Sequence, residues 1–122
     1  MMELGGKRVL IVEDEAMLSI ELQDLLQDLG CVVVGAAGRF EQAQKMASEL
    51  SFDVAVLDVN LGRKSAIPIA DTIASRHLPF VFATGYGPGG AIEQFSAPVI
   101  EKPYDGNNLR RALTEALWSE ND

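Results

Sequence analysis

A single cysteine, Cys31, rules out an internal disulfide. At the start of an apolar run it is expected to serve as a small buried hydrophobe, not as a reactive thiol. No apolar stretch reaches the length of a membrane span, and Met1 to Lys7 lack the apolar core of a signal peptide. Bases are scarce too: 10 Lys and Arg face 18 Asp and Glu, and the net charge of −8 argues against nucleic acid or an anionic membrane as partner. A cytoplasmic location follows as the default. No internal repeat, low-complexity tract or Pro/Ser/Gly-rich linker breaks the 122 residues. One domain over 1–122, with its core from about 7 to 118, is therefore expected. The only histidine, His77, falls near the end of a helical pattern, where a charge partner for the helix terminus is the ordinary reading, and it is assigned no role.

What is present is a series of short apolar runs, each ending in a reactive or polar residue. Val54-Ala55-Val56-Leu57-Asp58-Val59-Asn60 has the composition of a strand buried on both faces of a parallel sheet, and it ends in a carboxylate. Arg8 to Val12 stops at Glu13-Asp14-Glu15; Asp14 alone could cap the next helix, but three acids exceed what capping needs. Cys31 to Gly35, Pro79 to Ala83 and Pro98 to Glu101 complete five predicted strands.

Helical stripes lie between them. They are Leu18, Leu22, Leu25, Leu26 and Leu29, stopped by Gly30; Phe40, Ala43, Ala47 and Leu50; Ile69, Ala70, Ile73 and Ala74; and Leu109, Ala112, Leu113, Ala116 and Leu117, capped by Asp105 or Asn107. Leu61 to Ser65 is expected to be a polar loop. Pro88 to Phe95 is expected to be a short, mobile helix, because two glycines each weaken it by roughly 1 kcal/mol against alanine. Alternating strands and helices at these intervals predict an α/β fold, a doubly wound five-stranded parallel sheet in the order 2-1-3-4-5.

In such a sheet the carboxyl ends of the strands border one crevice, where ligands bind. Glu13, Asp14, Asp58, Thr84 and Lys102 would meet there. Clustered acids repel and raise each other's pKa unless a cation joins them, and magnesium, which needs few carboxylates, suits the set. Lys102 and Thr84 add donors for phosphoryl oxygens.

With Val12-Glu13-Asp14-Glu15, Leu57-Asp58-Val59-Asn60, Ala83-Thr84-Gly85 and Lys102-Pro103 in order, the chain resembles the receiver domains of two-component response regulators, members of the flavodoxin-like folds, from Lys7 to about Trp118. Phe82-Ala83-Thr84-Gly85-Tyr86 resembles the string of an alphaproteobacterial subgroup. The resemblance implies that Asp58 accepts a phosphoryl group from a histidine kinase or phosphotransfer protein. It further implies that Asp14, Asp58 and the backbone carbonyl of Asn60 ligate magnesium, with Glu13 acting through water. Thr84 and Lys102 would bind phosphoryl oxygens, and the Lys102–Pro103 bond would be cis.

The family's output surface is built by the fourth helix, fifth strand and last helix, and would take a downstream protein. The domain would act as a monomer or as a dimer formed on phosphorylation. A stand-alone switch is expected, since only Ser119 to Asp122 follow the last helix.

Val99 departs from the family pattern, which has an aromatic residue three positions before the lysine. Tyr86, with the glycine-rich segment behind it, is the substitute switch expected here. Gly85 would leave room for the donor, while Tyr86 would hinder water from hydrolysing the acyl phosphate. Two rivals are considered. A phosphotransferase of the haloacid dehalogenase type wants a second acid two residues after Asp58, where Asn60 stands. A pseudo-receiver interaction module would lack the acid pair, Thr84 or Lys102, all of which are present.

Overall fold

The five apolar runs form five parallel strands. The computed structural model describes residues 4–85 and 90–118. In chain order its elements are β1 (Arg8–Val12), α1 (Ala16–Asp28), β2 (Val32–Ala37), α2 (Phe40–Glu49), β3 (Val54–Asp58), β4 (Asn60–Leu61), β5 (Lys64–Ser65), α3 (Ile67–Ser75), β6 (Phe80–Thr84), a 3-10 turn (Gly90–Phe95), β7 (Val99–Glu101) and α4 (Gly106–Leu117). The main sheet runs β2-β1-β3-β6-β7, parallel throughout, while β4 and β5 pair only with each other. Leaving that hairpin aside, this is the predicted 2-1-3-4-5 order.

Alternation along the strands divides the core in two. Val9, Ile11, Val54, Val56, Val81 and Ala83 pack with Leu22 and Leu26 of α1 and Leu109, Ala112 and Leu113 of α4. Leu10, Val12, Ala55, Leu57, Phe80 and Phe82 pack with Ala43 and Ala47 of α2 and Ile69, Ala70 and Ile73 of α3. Every residue of β3 is buried, as a central strand covered on both faces requires. No helix among the described residues is long and apolar enough to cross a membrane.

Several local expectations are corrected. Strand β2 begins at Val32 and continues to Ala37, instead of covering Cys31 to Gly35. Cys31 is buried, with its thiol directed at the Leu4 carbonyl, and burial pushes its pKa up. Ala74 is exposed and does not belong to the inner stripe of α3. His77 lies just past α3 on an exposed left-handed residue, at φ 60°. The Leu61–Ser65 segment is a hairpin limb, not a purely polar loop, and Leu61 is buried with the α2/α3 side of the core.

The segment expected to be a helix from Pro88 to Phe95 forms a 3-10 turn over Gly90–Phe95, and residues 86–89 lie outside the described residues. Phe95 packs edge-on against Phe80 and Phe82, with ring centroids 5.6 and 5.7 Å away, so tertiary contact holds a segment of weak helical propensity.

Of the two candidate caps, Asp105 serves α4 by accepting a hydrogen bond from the Asn107 N–H at 3.1 Å. Asp105→Ala is expected to cost about 1 kcal/mol, the usual loss for an N-cap carboxylate, measured by urea denaturation. Asp14 is not a cap. The N-cap position of α1 is Glu15, and no side chain makes the capping bond.

Candidate functional site

The strand register brings the reactive residues together. Val12 pairs with Leu57, Asp58 with Ala83, and Thr84 with Glu101. Glu13, Asp58, Thr84 and Lys102 therefore leave adjacent strands at nearly the same level. Backbone bonds extend the ladder past the strand ends: Glu13 N–H to Ala37 C=O at 3.0 Å, Val59 N–H to Ala83 C=O at 3.0 Å, and Lys102 N–H to Thr84 C=O at 2.9 Å. The crevice above is an open cavity of about 460 Å³ bordered by Asp14, Asp58, Asn60, Thr84, Gly85 and Lys102, with Pro103 also on its wall. Glu13, whose side chain has no exposed surface, does not border it.

The Lys102 ammonium bridges two acids. It is 2.8 Å from Asp58 Oδ2 and 3.1 Å from the Glu13 carboxylate, whose side chain has no exposed surface. Burial works to lower the Lys102 pKa, but the hydrogen bonds and charges of Asp58 and Glu13 outweigh it and hold the pKa above the ordinary value. For Asp58 the balance is reversed. Burial pushes it up to about 7; Lys102 opposes the rise, and Asp14 and Glu13 add to it. Asp14 is more exposed. Partial burial raises it, yet hydrogen bonding to Asp58 and to the Gly62 N–H holds it below the usual range.

Glu13, Asp14 and Asp58 each present a carboxylate oxygen, and these atoms lie within 4.8 Å of one another. Three hard oxygen donors of like charge in one place fit a hard divalent cation, and they suit magnesium. Thr84 is buried at the cavity edge, and the Lys102–Pro103 peptide is cis. Asn60 directs its N–H at Asp58 Oδ1 from 3.3 Å. Among the described residues, nothing lies within 4 Å of where a Cβ on Gly85 would stand. Tyr86, the expected switch residue, lies outside the described residues, and Val99 is partly buried against the α2/α3 side of the core.

Two contributors escape the sequence reading. Tyr104, buried, donates its hydroxyl to Glu13 Oε1 at 2.5 Å; burial first, and then the Glu13 charge, push its pKa far up, so it remains a donor. Gly62, at φ 63° in the β4–β5 hairpin, donates its N–H to Asp14 Oδ2 at 2.8 Å. The left-handed backbone that aims this N–H is open to glycine at little steric cost. The only signal for Tyr104 was an aromatic directly after Lys102-Pro103, which by itself reads as core.

A parallel doubly wound sheet with acids, a threonine and a lysine at its carboxyl edge defines a class. The family model for the response regulator receiver domain matches residues 9–114, and the chain belongs to that family. It is similar to the transcriptional regulatory protein PdtaR of Mycobacterium tuberculosis, 34% identical over 116 residues that make up 91% of this chain and 57% of that protein. It is also similar to the phyllosphere-induced regulator PhyR of Methylorubrum extorquens, at 29% identity over 90% of this chain and 43% of that one. The chain thus spans about half the length of these curated relatives. Among solved structures, SdrG from Sphingomonas melonis Fr1 is 34% identical with a TM-score of 0.79, covering 96% of this chain and 100% of that one.

Proposed function

We propose that this receiver domain is a phosphorylation switch whose acceptor is Asp58, charged by a phosphohistidine on a histidine kinase or phosphotransfer protein. The observation that carries the reading is the Lys102 ammonium 2.8 Å from Asp58 Oδ2, beside Glu13 and Asp14, with Asp14, Asp58 and Lys102 lining an open cavity. A carboxylate oxygen of Asp58 attacks phosphorus and forms a P–O bond as the P–N bond of the donor breaks. The imidazole leaves with that electron pair and takes a proton from water. Later attack by water on phosphorus breaks the P–O bond and returns the Asp58 carboxylate with inorganic phosphate.

Asp14, Asp58 and the Asn60 carbonyl would hold magnesium, with Glu13 reaching it through water. When bound, magnesium supplies the positive charge that lets clustered carboxylates share a site with a phosphoryl group. The Thr84 hydroxyl and Lys102 ammonium donate to phosphoryl oxygens, and Gly85 leaves the approach open. Val99 cannot supply the inward-turning aromatic ring of the family's switch, so the reading assigns that part to Tyr86. Output is a protein contact on the surface made by the Gly90–Phe95 turn, β7 and α4. Catalysis is confined to the domain's own phosphorylation and dephosphorylation.

Incubation with magnesium and acetyl phosphate tests the reading by mass spectrometry. Wild type is expected to gain one phosphoryl group, and Asp58→Asn none. Equal labelling of both, or of neither, would overturn the assignment.

A further inference from the structure

Glu13 and Asp58 share one ammonium. Lys102 Nζ stands 2.8 Å from Asp58 Oδ2 and 3.1 Å from the Glu13 carboxylate. If Asp58 carries a phosphoryl group, Lys102 must turn toward the new oxygens, and Glu13 must keep its place with less help from the ammonium. Its side chain has no exposed surface, so bulk water does not reach it, and apart from a magnesium-held water only protein donors can take the place of the ammonium.

Two other donors already reach it. The Glu15 N–H is 3.1 Å from Oε2, and the Tyr104 hydroxyl is 2.5 Å from Oε1. The first comes from a backbone turn two residues away, and any residue but proline would provide it. The second comes from a chosen side chain, two positions past Lys102 and 91 residues from Glu13 in sequence. The tyrosine ring itself packs in the core between the sheet and the α1/α4 layer. A phenylalanine would fill that volume equally well, so packing does not explain the hydroxyl.

We infer that Tyr104 is a positioning residue for phosphoryl-group binding: its hydroxyl holds Glu13 in place and thereby frees Lys102 to follow the phosphoryl group onto Asp58. The inference rests on the acceptor reading of Asp58 and deepens it. It places the adjustable cation and the fixed donor in one short segment, Lys102 to Tyr104, so that the same turn which delivers the lysine also compensates for its departure.

Calorimetric titration of wild type, Tyr104→Phe, Glu13→Gln and the double variant tests this, first with magnesium alone and then with beryllofluoride at saturating magnesium. Tyr104→Phe is expected to weaken beryllofluoride binding about tenfold, the loss typical of one hydrogen bond to a charged group, while magnesium affinity falls much less, because Glu13 would reach the ion only through water. In the Glu13→Gln background the same substitution is expected to add little, because its effect runs through the Glu13 charge. A loss of equal size in both backgrounds, no loss in either, or a parallel loss of magnesium affinity would overturn the inference while leaving Asp58 as acceptor. Failure of wild type to bind beryllofluoride would overturn the acceptor reading, and this inference with it.

Discussion

Lys102→Met is expected to lower the unfolding free energy by about 3–5 kcal/mol at pH 8, the range for removing one partner of a buried ion pair. The methionine keeps most of the aliphatic stem and removes the ammonium that Asp58 and Glu13 share, in a setting where the three side chains are 12%, 7% and 0% exposed. The pH dependence separates charge from packing. The Lys102 pKa is raised above its ordinary 10.5, so its contribution is fully present below that value and is lost only as pH climbs through the raised one. At pH 8 wild type therefore has all of it. In the variant Asp58, already near 7, moves higher still, because the ammonium that opposed burial is gone. Protonation of Asp58 then relieves the uncompensated charge as pH falls, and the deficit at pH 5 is expected to be much smaller than at pH 8. Urea denaturation at both values measures the difference. A deficit of equal size at both would assign the loss to the missing tip of the side chain instead of to its charge.

The parts of this site that were legible in the sequence are those carried by period and register. Val54 to Asp58 could be read as a doubly covered strand because nothing in it is polar until its last residue, and β3 ends at that residue. Once five such runs are set in parallel, the residue after each must fall beside its neighbours, and so Glu13, Asp58, Thr84 and Lys102 could be placed together without any contact being known. What escaped has no periodic signature. The Tyr104 hydroxyl and the Gly62 N–H find their acceptors 91 and 48 residues away, and neither residue type announces such a partner. Ala74 was misplaced because alanine is indifferent to burial, so the helix stripe gave it no side. The β4–β5 hairpin has two residues per strand, too few to show alternation, and its buried Leu61 looked like the edge of a loop. In Gly90–Phe95 local propensity and tertiary contact disagree: the glycine content argued for a weak helix, and the Phe95 ring against Phe80 and Phe82 fixes a tighter turn.

Asp58→Asn is expected to move stability the other way, raising it at pH 8 in the absence of divalent metal by roughly 1–3 kcal/mol. The sign follows from the direction of the Asp58 shift. Its pKa in the folded protein is near 7, against an ordinary 3.8, because burial and the neighbouring acids disfavour the charged form. Between those values the native state holds a proton that the unfolded chain has released, so wild-type stability falls as pH rises through about 4 to 7 and levels off above. A rise of that size corresponds to about 4 kcal/mol as a ceiling that already contains the opposing pull of Lys102, and relaxation and solvent at the open cavity reduce it. Asparagine is nearly isosteric with protonated aspartic acid, so the two proteins are expected to converge near pH 4. They diverge as pH climbs, which is opposite to the steepened slope of Lys102→Met. Added magnesium should then reverse the ranking. A ligand that binds only the folded state stabilises it by an amount that grows with its affinity, and the variant lacks one of the acids that would hold the ion. Urea titrations at pH 4.5 and 8, each with chelator and with magnesium, contain the whole comparison. Parallel pH profiles for the two proteins would mean that the strained acid is some other group, and the charge balance drawn here around Lys102 would fail with it.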